Sequence, residues 1–282
     1  MSAKQKPLTI FLAVDGSEHS RVATEILCSL PLPKDSSIVA LAVLDTPHTP
    51  RRQLLLAALS QTQDYMEKHG LSSEIGLLHG HPAEALTSYA DDHHPDLIVM
   101  GAKGLRATLG ILLGGVAQQI IEYSNWPVLI CRPPFKPIKQ VLAITDGSMY
   151  SRQSLEFLSI FPLLTDTNIH LVYVVPPMPE YPIGSFSHTI LSGADVLNPI
   201  PSELLAEIDN WQEQAEETGK NLLAEGKDIL GRFQGNVNSK LLHGDAATEI
   251  LKFSKEIGSD LIVAGSRGMN PVKSWLLGSV SR

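Results

Sequence analysis

Short apolar runs recur along the first half of this chain and alternate with longer segments whose apolar residues follow a helical period. Brief uninterrupted runs are typical of strands that are buried on both faces of a parallel sheet. Apolar residues three and four positions apart are typical of helices that pack on such a sheet. The pattern predicts strands at 8–14, 38–44, 74–78, 96–100 and 128–131, and helices at 18–30, 50–68, 82–93 and 116–123.

The second half of the chain repeats the first. The segment DLIVMGAKGLRATLGILLGG at 96–115 returns as DLIVAGSRGMNPVKSWLLGS at 260–279, an offset of 164 residues. Asp-Gly-Ser follows the first strand of each half, at 15–17 and 146–148, and LLHG closes each third strand. Because strands alternate with helices in both halves, the repeat predicts two tandem α/β domains, each a doubly wound parallel sheet.

A proline-rich joint separates the two halves. Proline cannot donate to a β-ladder or continue a helix, so the run RPPFKP is typical of a linker. We therefore expect domain 1 at residues 1–132, a linker at 133–137 and domain 2 at 138–282. The second domain carries an insertion at 176–201 that the first domain lacks.

The duplicated segment has the spacing G-x2-G-x9-G followed by a small residue. Glycine after a buried strand allows a tight turn and lets a ligand approach backbone N–H groups closely. The last pair of residues lies where a helix should begin, and helix N-termini attract anions. The pattern points to a phosphate site in each half, formed by Gly101, Gly104, Gly114 and Gly115 and by Gly265, Gly268, Gly278 and Ser279.

This spacing, together with the two Asp-Gly-Ser turns, resembles the nucleotide-binding signature of the universal stress protein family. The resemblance covers nearly the whole chain and implies the strand order 3-2-1-4-5 and binding of ATP or ADP with Mg²⁺. It implies that Asp15 and Asp146 accept hydrogen bonds from ribose hydroxyls or hold the Mg²⁺, and that the backbone of Val43 and Val174 meets adenine. The phosphates would be wrapped by the glycines and Ser279, with Arg267 and Val280 beside them.

The two sites depart from the family pattern in different ways. Gly115 supplies an N–H group but no hydroxyl, whereas Ser279 keeps the hydroxyl. Only three residues follow Ser279, so we expect the second repeat to lack its last helix and its fifth strand. In the family the fifth strand is the edge through which domains or protomers associate. The resemblance therefore implies a homodimer or a tight intrachain domain pair that uses residues 128–131.

Composition narrows the range of partners. Twenty-two basic and thirty acidic residues give a formal charge of −8, which disfavours nucleic acid and anionic membranes. The N-terminal apolar run is too short for a signal peptide, so a cytoplasmic location is expected. Cys28 and Cys131 are interpreted as core thiols of a reducing compartment. The histidines at 79, 81, 93 and 94 lack the further ligands of a closed metal site, so no protein-only metal site is expected.

The resemblance implies a stress-response protein that senses or regulates through an adenine nucleotide. The sequence contains no Ser/His/Asp arrangement and no P-loop lysine, so at most weak ATP hydrolysis is expected and no catalytic residue is assigned. Two alternatives stay open at this point. The first is a scaffold of the same fold that binds no nucleotide, because tight turns alone can explain glycines. The second is an ATP-consuming transferase or hydrolase of the related nucleotide-hydrolase superfamily.

Overall fold

A computed structural model describes residues 6–45, 49–104, 113–177 and 202–266 of the chain. The first half forms a five-stranded parallel sheet in the order β3-β2-β1-β4-β5, which confirms the predicted fold. Its elements are β1 Thr9–Ala13, α1 Glu18–Ser29, β2 Ser37–Leu44, α2 Thr49–Lys68, β3 Glu74–His79, α3 Pro82–His93, β4 Leu97–Gly101, α4 Gly115–Tyr123 and β5 Val128–Cys131.

Helices cover both faces of the first sheet, which is why its strands are continuous apolar runs. Successive side chains of β1 point to opposite faces, so Ile10 and Leu12 join one core cluster and Phe11 joins the other. Helices α1 and α2 contact one face through β4 and β2, while α3 and α4 pack against each other in the second cluster. The carboxyl ends of β1, β2 and β4 consequently meet at one edge of the sheet, between the two helical layers.

The second half repeats this topology with four described strands in the order β8-β7-β6-β9. The prediction that this repeat lacks its last helix and fifth strand concerns residues 267–282, which lie outside the described residues, as does the insertion from 178 to 201. Residues 132–139 carry neither helix nor strand. The described elements are β6 Gln140–Ile144, α5 Met149–Ile160, β7 Asn168–Val175, α6 Ser202–Ile229, a 3₁₀ turn at Leu230–Arg232, β8 Asn236–His243, α7 Ala246–Ile257 and β9 Leu261–Val263.

The strands of each sheet are held in a fixed register. In the first sheet Ala13 is opposite Leu41 and Gly101 is opposite Cys131. In the second sheet Ile144 is opposite Val172, the equivalent of the first of these pairs. None of the helices in the described part of the chain has the length and apolar character needed to cross a bilayer.

Candidate functional site

The Asp-Gly-Ser turn at the end of β1 is fixed by its own side chains. Gly16 has φ +81°, a backbone conformation that residues with a Cβ rarely adopt. The Asp15 carboxylate accepts the Ser17 N–H at 2.9 Å, and the Ser17 hydroxyl oxygen accepts the Ser20 N–H at 3.1 Å as the N-cap of α1. Asp15 is therefore held at the carboxyl end of the sheet, where ligands of such folds bind.

The glycine-rich turn after β4 lies directly against this Asp-Gly-Ser turn. The Ser17 hydroxyl donates to the Lys103 carbonyl oxygen at 3.2 Å. A Cβ built on Gly104 would lie 2.7 Å from Asp15 Oδ2, closer than a real Cβ contact allows. Asp15 and Gly104 are thus neighbours, although they are 89 positions apart in the sequence. Because glycine has no Cβ, residue 104 leaves room for the Asp15 carboxylate.

Gly101 has a different environment from Gly104. A Cβ at Gly101 would lie 2.7 Å from the carbonyl carbon of His19 and 2.8 Å from the backbone nitrogen of Ser20. Gly101 therefore lets β4 pack against the first turn of α1. This packing explains a glycine at 101 without any ligand, so its proposed contact with phosphate stays a prediction.

Gly114 and Gly115 begin helix α4. The Gly114 N–H donates to the Ala102 carbonyl oxygen at 2.8 Å, which brings the helix start back to the turn after β4. Gly114 is the N-cap and makes no side-chain capping hydrogen bond. A Cβ on Gly115 would meet no described atom within 4 Å. At Gly114 no side chain of the described residues thus caps the N–H groups in the first turn of α4, and the helix dipole favours an anion there.

Val43 lies two residues beyond the last residue of β2 that pairs with β1. The final pair of those strands is Ala13 with Leu41, and Val14 N–H donates to the Leu41 carbonyl oxygen at 2.8 Å. On its other side Val43 is paired with Leu78 of β3. Its side chain is buried, so a ligand at this edge would meet its backbone.

Repeat two reproduces the described part of this geometry. Gly147 has φ +78°, the Asp146 carboxylate accepts the Ser148 N–H at 2.9 Å, and Ser148 caps α5 through the Ser151 N–H. A Cβ on Gly265 would lie 2.8 Å from the Tyr150 carbonyl carbon, the same close packing that Gly101 makes. Five predicted site residues lie outside the described residues: Arg267, Gly268, Gly278, Ser279 and Val280.

Two features of the sites were not predicted from the sequence. The Lys103 carbonyl ties the glycine-rich turn to Ser17, and nothing in a sequence marks a backbone acceptor. Tyr173 immediately precedes Val174, and burial, together with the negative charge of Asp146, raises the pKa of its hydroxyl. The position of Tyr173 at the end of β7 is the signal that could have found it.

No group of three His, Cys, Asp or Glu side chains in the described ranges is arranged to hold a metal ion. Asp15 and Asp146 each lie at the end of a first strand with one carboxylate oxygen engaged by a backbone N–H. A single carboxylate that shares Mg²⁺ with nucleotide phosphates fits the usual coordination of that ion. The residues present are therefore compatible with Mg²⁺ that arrives with a nucleotide.

Comparison with known proteins gives one family. The model of the universal stress protein family matches residues 8–132 and 137–282. Universal stress protein Slr1230 of Synechocystis is 29% identical over 123 residues, which are 44% of this chain and 42% of that protein. A universal stress protein of Thermus aquaticus is 30% identical over 134 residues, 44% of this chain and 98% of the relative.

Some solved structures align with both halves of the chain, among them the following one. A universal stress protein from Archaeoglobus fulgidus DSM 4304 covers 90% of this chain and 85% of its own length, with a TM-score of 0.60 and 16% identity. At this identity the similarity concerns the fold alone. The tandem arrangement of two such sheets in one chain is therefore shared with that protein.

Proposed function

The chain belongs to the universal stress protein family, matched over both halves, and from this premise we propose that it is a stress-response regulator that binds an adenine nucleotide. The observation that carries the proposal is the contact between Asp15 and Gly104. A carboxylate and a glycine-rich turn from distant parts of the sequence meet at the carboxyl edge of the sheet, where ligands of open α/β sheets bind.

The roles in repeat one follow from this placement. Asp15 would accept hydrogen bonds from the ribose hydroxyls or share Mg²⁺ with the phosphates, and the backbone of Val43 would contact adenine. Gly104 and Gly115 would donate backbone N–H groups to the phosphates, supported by the dipole of α4. Gly114, whose N–H already donates to the Ala102 carbonyl oxygen, would let the phosphates approach without a side chain in the way. When bound, Mg²⁺ would neutralise phosphate charge.

Repeat two offers a second site on the same plan. Asp146 and Val174 take the places of Asp15 and Val43 at the ends of β6 and β7. The phosphate contacts would come from Gly265 and from five residues that the structure does not describe: Arg267, Gly268, Gly278, Ser279 and Val280. The Ser279 hydroxyl is the feature that would distinguish this site from its counterpart in repeat one.

A scaffold function without nucleotide is the second candidate, and one observation favours it. Gly101 and Gly265 lie against the backbone at the start of α1 and α5, respectively, so packing explains part of the glycine motif. Gly104 is the residue that separates the two functions, because its missing Cβ leaves space for the Asp15 carboxylate rather than for a helix.

The test is the nucleotide content and affinity of the purified chain. We expect ATP or ADP to be released on heat denaturation, and calorimetry to show Mg²⁺-dependent binding of ATP and ADP that is stronger than binding of AMP. Gly104→Ala should weaken binding at repeat one because the new methyl group displaces the Asp15 carboxylate, which is a flexible side chain and can move without unfolding the domain. Absence of heat with every nucleotide at millimolar concentration would leave the scaffold function.

We further propose that β5 is an association edge. Among the described residues β5 pairs with β4 and forms the end of its sheet. An open strand edge invites pairing with another strand. The partner would be the second domain or the same strand of another copy.

The limits of the two domains and a cytoplasmic location stay predictions from the sequence.

A further inference from the structure

A cleft lies between α1 and α2, outside the proposed nucleotide site. Its volume is about 460 Å³, within the range of small-molecule pockets. The cleft shares Gly16 and Ser17 with the Asp-Gly-Ser turn, but Asp15, Val43 and the glycine-rich turn do not line it. Its walls include Arg21 and Thr24 of α1 and Ala58, Gln61 and Tyr65 of α2.

The second repeat has the same cleft in a filled form. Its lining residues are the counterparts of those in repeat one, 131 residues further along for α1 and 164 for α2. A Cβ on Gly16 would be 3.4 Å from Ala58 Cβ, and a Cβ on Gly147 would be 3.0 Å from Leu222 Cδ1, so Leu222 stands in the place of Ala58. Only about 10 Å³ remains open there.

Two lining positions carry larger apolar side chains in repeat two, whereas Gly226 and Ile229 there are smaller than Thr62 and Tyr65. Leu222 replaces Ala58, and Leu155 replaces Thr24. Leu155 is fully buried, as expected for a side chain that occupies such a space. The Thr24 hydroxyl, by contrast, already donates to the Ser20 carbonyl oxygen at 3.1 Å. The space in repeat one that these leucines would fill is therefore suited to an apolar group.

An ion pair also crosses the filled cleft. The Arg152 guanidinium contacts the Glu225 carboxylate, which comes from the facing helix. In repeat one the same positions hold Arg21 and Gln61, so the arginine remains and the carboxylate is lost. Arg21 contacts Glu25 of its own helix at 3.9 Å, and its side chain is 68% exposed.

We propose that the α1–α2 cleft binds a small monocarboxylate with a compact apolar body. The ligand carboxylate would pair with Arg21 as Glu225 pairs with Arg152, and the amide of Gln61 can donate to it. The apolar body would occupy the volume that Leu155 and Leu222 fill in repeat two, against Ala58 and the ring of Tyr65. Glu18 also lines the cleft, and its charge disfavours ligands with several negative charges, such as nucleotides.

The experiment uses the full chain with two probes, 3-phenylpropionate and 4-methylpentanoate. Calorimetry and saturation-transfer NMR measure the binding of each probe. We expect saturable binding below about 10 mM and about tenfold weaker binding of the uncharged 3-phenylpropionamide. Ala58→Leu and Gln61→Glu each copy the residue of repeat two. Each should weaken probe binding at least about tenfold while leaving ATP binding and the thermal midpoint close to those of the wild type.

A reciprocal variant makes the test independent of loss of function. Leu222→Ala combined with Glu225→Gln should open the second cleft and raise the number of probe molecules bound per chain from one to two. The proposal is overturned if the wild type shows no saturable binding. It is also overturned if the Ala58→Leu variant, with an unchanged melting curve, binds the probes as the wild type does.

Discussion

Gly101 of β4 lies against the backbone of His19 in α1, and a Cβ at Gly101 would come within 2.7 Å of the His19 carbonyl carbon. Backbone atoms at the start of a packed helix cannot move away cheaply. We therefore expect Gly101→Ala to destabilise the first domain by about 1–3 kcal/mol, the usual cost of overpacking. Urea unfolding would measure this as a lower midpoint.

The matched control for that variant is Gly115→Ala, because a Cβ at Gly115 meets no described atom within 4 Å. It should leave the midpoint unchanged or raise it slightly, since alanine is the better helix residue. Equal midpoints for the two alanine variants would mean that β4 and α1 are not in close contact. Because a Cβ at Gly101 already meets the backbone of α1, a bulky residue there would disturb packing first and would not be a clean test of nucleotide binding.

Much of the fold could be predicted from apolar runs and the internal repeat, because strands buried on both faces leave a strong signal. The strand order came from the family resemblance instead. The sequence also placed Asp15 at a strand end. It could not show that Gly104 meets Asp15 whereas Gly101 meets α1, because both glycines share one motif and differ only in tertiary contacts.

The α1–α2 cleft illustrates the same limit. Ala58 and Leu222 are visible in the sequence, but nothing there shows that each lies over the glycine of an Asp-Gly-Ser turn. That relationship depends on how α2 and α6 cross the sheets. Differences between two copies of a fold become informative once the structure matches their positions.

Adding a hydroxyl at the start of α4 should strengthen nucleotide binding at repeat one. Gly115→Ser introduces the hydroxyl that the sequence has at Ser279 in repeat two, at a position where a side chain meets no described atom within 4 Å. A hydrogen bond to a charged phosphate is worth about 1.5–3 kcal/mol, so we expect roughly tenfold or more tighter ATP binding. Calorimetry would measure the gain, with Gly115→Ala as the control that lacks the hydroxyl.

If Gly115→Ser and Gly115→Ala bind ATP equally well, the phosphates do not approach the first turn of α4. The site assignment in repeat one would then be wrong even if the chain binds ATP elsewhere.

The two cysteines should be unreactive in the folded protein. Burial, with the charge of Glu25 as a second cause, raises the pKa of the Cys28 thiol to about 11, and burial raises the pKa of Cys131 to about 12. Both thiols are thus protonated at pH 8, and thiolate is the nucleophilic form. We expect iodoacetamide to modify the native chain much more slowly than the chain in urea, as measured by mass spectrometry.

The same pKa shifts predict how stability depends on pH. The folded chain holds the thiol protons more tightly than the unfolded chain, whose thiols titrate near 9.0. The contribution of each thiol is therefore complete below about pH 9 and is lost as pH rises toward 11 for Cys28 and 12 for Cys131. A Cys28→Ala/Cys131→Ala chain should lose less stability over this interval, and an identical decline would contradict the assignment.

The free edge of β5 can be tested with a proline at a chosen position. The Pro127 carbonyl oxygen accepts from Ile98 N–H, and the Cys131 carbonyl oxygen accepts from Ala102 N–H, so the odd-numbered residues of this strand bond to β4. By the alternation of a parallel ladder, the N–H of Ile130 points away from β4. Ile130→Pro removes that outward donor, and proline is tolerated in an edge strand at such positions.

We expect Ile130→Pro to weaken association through β5, seen as a smaller mass in light scattering for a homodimer. For an intrachain pair, the second domain should instead become more sensitive to limited proteolysis. Ile130→Ala controls for the lost side chain, which packs against the second core cluster, and Leu129→Pro should disrupt β4 pairing and unfold the edge. If Ile130→Pro and Ile130→Ala leave both mass and proteolysis as in the wild type, β5 is not an association edge. The outer edge of β5 would then be exposed to solvent in the native protein.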